Sequence, residues 1–133
     1  MKKAAVLLWF LLLPYLSRLP GGIEWVKAYL PDEGMMLFGL VFFGAFNLLP
    51  VVVMSAASKV VPPRPRVVTV IPFVVMSVAT VVAHFDYDLS SDAQAAIWLI
   101  VAPAFVAILG AVSLALTRAA IWLAARQEES SRD

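Results

Sequence analysis

The chain contains no cysteine, which excludes disulfides, thiolate metal sites and thiol nucleophiles. The dithiol chemistry of small four-helix quinone-linked oxidoreductases is excluded with them. Histidine occurs once, at His84, at the edge of an apolar run rather than within a recognisable catalytic arrangement. Nothing therefore supports a Ser-His-Asp triad. Charge is scarce as well: 14% of residues are charged, where a soluble domain carries about 25%. The basic loop around Arg64 and Arg66 holds three bases with Lys59. Nucleic-acid binding needs many more phosphate contacts than that, so no nucleic-acid partner is expected.

Long uncharged runs are what the chain has instead. Residues 34–58 and 93–117 are each 25 positions without a charge, and 67–85 is a run of 19. A helix of about 20 apolar residues crosses a bilayer core. A fourth uncharged run, Ala4 to Ser17, is 14 residues, about 21 Å of helix. Lys2 and Lys3 before a short apolar run are also the marks of a secretory leader. No small-x-small cleavage motif follows, and Arg18 and Pro20 stand where one would lie. The run is read as an uncleaved first helix extending to Leu19, with Arg18 snorkelling to the headgroups. A cleaved leader is the alternative; it leaves the other helices oriented the same way. Trp9 and Tyr15 suit a membrane interface or a helix contact.

Loop charge alternates. Lys2 and Lys3 precede the first run. The second loop mixes Arg18 and Lys27 with Glu24, Asp32 and Glu33. The third has Lys59, Arg64 and Arg66 without an acid, and the fourth has Asp86, Asp88 and Asp92 without a base. Arg118, Arg126 and Arg132 follow the last run. Lys and Arg concentrate in cytoplasmic loops. The expected fold is an all-α membrane protein, a single domain over residues 1–133. It is a bundle of four transmembrane helices, N-in/C-in, at about 4–19, 34–58, 67–85 and 92–122. A frayed cytoplasmic tail at 126–133 completes it. Ile23, Val26, Tyr29 and Leu30 share a helical face that would lie on the outer leaflet.

Each predicted helix contains one proline: Pro14, Pro50, Pro72 and Pro103. Such prolines mark static kinks more often than hinges. Small and polar residues recur at helical spacing as Gly44, Asn47, Val51, Ser55, Ser58; as Thr69, Phe73, Ser77, Thr80, His84; and as Ala104, Ala107, Ala111, Ala115. Helices in lipid associate through small residues and occasional hydrogen bonds, so these rows are expected inside the bundle. Leucine at Ala111 is then expected to disturb packing more than leucine at Val106. Asn47 is the one amide within an apolar run. It would bind a ligand or, in the plainer reading, bridge helices or cap the backbone near Pro50. His84, Asp86 and Asp88 alternate in a manner open to a divalent ion, but such a set is usually a solvated loop, and no metal site is expected.

Ser91 and Gln94 form a capping box ahead of the last run, with Asp92 favouring the helix dipole. Within this region the stretch DYDLSSDAQAAIWLIVAPAF resembles a segment of many small bacterial inner-membrane proteins, in which an acidic SSDAQAAI-type turn leads into a proline-containing helix. In size, topology and loop charge the chain also resembles, more weakly, the four-helix immunity proteins against pore-forming colicins.

These features make a non-enzymatic bacterial inner-membrane protein the expected function. Its partners would be the bilayer and either itself or another membrane protein. No cofactor or catalytic residue is expected. The acidic turn of Asp86, Asp88 and Asp92 would contribute to partner binding. A small oligomeric transporter or channel is the alternative, as are an accessory subunit and a phage holin. Small proton-coupled exporters of this length rely on an intramembrane carboxylate, and none lies in these runs.

Overall fold

The computed structural model describes residues 3–27, 36–59, 65–85 and 95–131. Every element among them is helical: α1 (Lys3–Leu16), a 3-10 turn (Leu19–Gly21), α2 (Ile23–Lys27), α3 (Met36–Phe46), α4 (Leu49–Ser58), α5 (Pro65–His84) and α6 (Ala95–Ser130). Four segments are long and apolar enough to cross a membrane: Lys3–Gly21, Val41–Ser58, Arg66–His84 and Ile97–Ser130. α4 and α5 touch each other, and both touch α1 on one side and α6 on the other; α5 and α6 share the most extensive contact. The segments alternate in direction. Lys3, Ser58 and Thr69 meet at one end, while Arg18, Trp25 and Trp98 reach the end of α5 at the other.

The run at 34–58 is not one helix. It breaks at Asn47–Leu48, between α3 and α4. Pro50 is the cause: its ring has no N–H for the Phe46 carbonyl and would clash with it. The backbone tightens instead, with Leu48 N–H donating to Ala45 O at 3.2 Å and Val51 N–H to Leu48 O at 2.9 Å. Pro50 then sits in the first turn of α4, where a missing donor is harmless. Pro72 and Pro103 lie inside helices that continue through them. At the chain's end α6 runs on to Ser130, past the expected stop at 122 and through the tail expected to fray. Good helix formers fill this stretch, and the Arg126 guanidinium lies 4.0 Å from the Trp122 ring centroid, one turn away. The capping box at 91–94 lies outside the described residues.

A compact core of Val6, Phe10, Met54, Met76 and Val106 joins all four segments. Phe10 meets Phe73 edge-on at 5.7 Å between centroids, and Trp9 Nε1 donates to Ser77 Oγ at 2.8 Å. Trp9 is thus a helix contact. Gly110 brings α6 onto α5; a Cβ there would overlap the Met76 side chain. Close approach of this kind is what holds helices together in lipid, where apolar burial alone gives little.

The buried rows differ from the expected ones. In α4 and the turn before it they are Asn47, Pro50, Met54 and Ala57, whereas Ser55 and Ser58 are exposed and Gly44 has open space around it. In α5 they are Val68, Pro72, Met76, Thr80 and His84, with Thr69, Phe73 and Ser77 half-buried beside them. In α6 they are Ala102, Pro103, Val106, Gly110 and Thr117. Ala104 and Ala107 are half-buried, and Ala111 and Ala115 face out. The ranking of Ala111 above Val106 is therefore reversed. Proline sets the phase: Pro14, Pro50, Pro72 and Pro103 are all buried. A proline leaves a carbonyl without its donor, and turning that side inward keeps the carbonyl out of hydrocarbon.

Candidate functional site

Most of the buried polar residues, Ser17, Arg18, Asn47, Thr80 and His84, gather toward the end of α5. A helix leaves its last four carbonyls without backbone donors, and inside a membrane each must find another. Three side chains, one of them from the turn after α1, supply them here. Trp98 Nε1, from α6, donates to Ala83 O at 2.8 Å. Arg18 Nη1 donates to His84 O at 3.3 Å. Trp25 Nε1, from α2, donates to Phe85 O at 3.4 Å. A cation at a helix C-terminus also faces the negative end of the dipole.

Arg18 is fully buried, at 0% exposure. The expectation that it snorkels to the headgroups fails because the chain folds back over it. After Pro14, Ser17 Oγ donates to Pro14 O at 2.7 Å and the backbone tightens into the 3-10 turn. Gly22 then takes φ +95°, a conformation that favours glycine. A Cβ on Gly21 would come within 2.7 Å of the Trp25 ring. The two glycines let Trp25 close over Arg18, whose guanidinium lies 4.3 Å from the ring centroid and whose Nε donates to Trp25 O at 2.7 Å. Trp25 and Val26 turn toward the bundle and Ile23 stays exposed, so α2 caps the bundle end; Tyr29 and Leu30 lie outside the described residues.

Below this cap is a small cavity lined by Pro14, Asn47, Pro50, Thr80, His84 and Pro103, with Phe10 and Val106 at its margin. About 10 Å³ is open to the centre of a water molecule, roughly the space of a single water. Thr80 Oγ1 donates back to Met76 O at 2.8 Å. The cavity is too small for an organic substrate, and the groups around it are hydrogen-bonding and apolar. Among the described residues no three His, Asp or Glu side chains are grouped to hold a metal ion.

Of the residues singled out in the sequence, the fold brings Asn47, Thr80 and His84 together on this cavity. Ser77 is held by Trp9 on the α1 side. Ser55 lies toward the opposite end. Ala107, Ala111 and Ala115 run along α6 away from the cavity. Asp86, Asp88 and Asp92 lie outside the described residues. Arg18, Trp25 and Trp98 were not singled out as a set. The signal for them is Gly21–Gly22 three residues beyond an arginine and three residues before a tryptophan, a turn built to return the chain.

Comparison with family models, curated proteins and solved structures finds no match to this chain.

Proposed function

We propose that this chain is a small non-enzymatic protein of the bacterial inner membrane, with both termini in the cytoplasm. It acts by helix–helix binding, to itself or to a membrane partner, in the manner of an immunity protein or an accessory subunit. The observation that carries the reading is the sealed centre. Phe10, Met76 and Val106 are exposed by 1% or less where the four segments meet, so the described residues of a single chain enclose no path for a solute. Action then falls to the outer faces. Ala111 and Ala115 point outward on α6 and give a partner helix a place to approach its backbone. Donor- and acceptor-labelled protein mixed in liposomes tests this. Saturable energy transfer, or a stoichiometric membrane partner retained on purification, is expected. Transfer that merely tracks protein density, with no partner retained, would contradict it.

The buried Arg18–His84 cluster favours a second reading, a small oligomeric transporter or channel, because ionisable groups enclosed within a membrane bundle commonly serve function. Arg18 is, however, engaged by the α5 terminus and Trp25, which fits a structural cap. Liposomes containing the protein are expected to show no pH-driven flux; robust uptake that Arg18→Gln abolishes without unfolding would promote this second reading.

A further inference from the structure

Three helices converge at the end opposite Arg18. The start of α1, the end of α4 and the first turns of α5 enclose a crevice with about 50 Å³ open to water-sized centres. Lys3, Ser55, Ser58 and Thr69 line its wall together with Val6, Val51 and Met54, and most of its surface is apolar. Lys3, Ser58 and Arg66 are the terminal residues of three membrane-crossing segments, which places the crevice at headgroup depth. No acid occurs from residue 34 to residue 85, and exposed Lys59 and Arg66 add positive charge at the same end.

We infer that this crevice binds the phosphodiester headgroup of an anionic phospholipid. Ser58 Oγ donates to Ser55 O at 2.8 Å and Thr69 Oγ1 to Arg66 O at 3.0 Å. Those two protons serve their own helices, so Lys3 and the Ser55 hydroxyl are the donors to phosphate. The apolar part of the wall distinguishes a lipid from free phosphate: it takes the first methylenes below the headgroup, which an inorganic anion lacks.

Native mass spectrometry of the full chain, released from micelles doped with phosphatidylglycerol or phosphatidylcholine, tests the assignment. Wild-type protein is expected to retain phosphatidylglycerol preferentially. Lys3→Gln should lower that retention about fivefold, the effect of one cation near a lipid surface. Ser55→Leu, which fills the crevice and keeps Lys3, should lower it too, while Lys59→Gln, outside the wall, should do less. Circular dichroism of each variant confirms that helices persist; Lys3 and Ser55 are exposed, so they should. Equal retention of the two lipids would overturn the site. So would equal losses from Lys3→Gln and Lys59→Gln, which would mark diffuse attraction. Displacement of the lipid by inorganic phosphate at constant ionic strength would show a free-anion site instead.

Discussion

Arg18 supplies donors that the end of α5 lacks, and this makes it the most consequential single residue in the bundle. Removing it strips His84 O of its donor and Trp25 of both its cation and a backbone partner. Losing hydrogen bonds from a buried charged group costs about 2–3 kcal/mol. Arg18→Gln is therefore expected to lower stability by about that amount, measured by denaturant unfolding in micelles. Arg18→Lys should be intermediate, since lysine keeps the charge but not the planar fork that reaches two carbonyls on different elements. Equal stability of all three would remove the capping role. The sequence did not expose this residue, because an arginine one step past an apolar run reads as a headgroup anchor. Only the return turn at Gly21–Gly22 distinguishes the two situations.

At the scale of elements, prolines decide both where helices break and which way they face. Pro50 breaks its run and Pro72 does not. Pro50→Ala restores an N–H for Phe46 O and should join α3 and α4 into one helix. Amide exchange at Asn47 and Leu48 is expected to slow markedly, with little change around residue 72 in a Pro72→Ala variant. Unchanged exchange at Asn47 would mean that something other than proline holds the break. That four segments are long and apolar enough to cross a membrane was legible in the sequence, because charge-free length is what bilayer thickness demands. Helix faces were not. Small residues were taken as the inward rows, yet glycine at 110 packs tightly while glycine at 44 meets nothing, and size alone does not separate them. The corrected faces predict that Val106→Leu overpacks the core, at about 1–3 kcal/mol. Ala111→Leu should leave chain stability nearly unchanged and weaken association instead. Thermal unfolding at low protein-to-lipid ratio compares them, and a larger loss at Ala111 would restore the expected face.

At the scale of the whole molecule, the described residues form a closed cap built on Arg18 at one end and an open, basic crevice at the other, joined by a tightly packed core. α6 exceeds what a bilayer needs: its 36 residues extend about 54 Å. Trp98 and Trp122 stand 24 positions apart on it, about 36 Å, a separation suited to two membrane interfaces. Between them lie the outward Ala111 and Ala115, the proposed seat of a partner helix. The absence of native cysteine makes the decisive measurement clean. Single cysteines are introduced at each position from 104 to 119 and oxidised in intact membranes. Cross-linking is expected to peak at Ala111 and Ala115, to a second copy or to another membrane protein, and to be minimal at Val106 and Gly110. A peak at Val106 and Gly110, or no cross-link along the whole face, would contradict a protein that works by binding through α6.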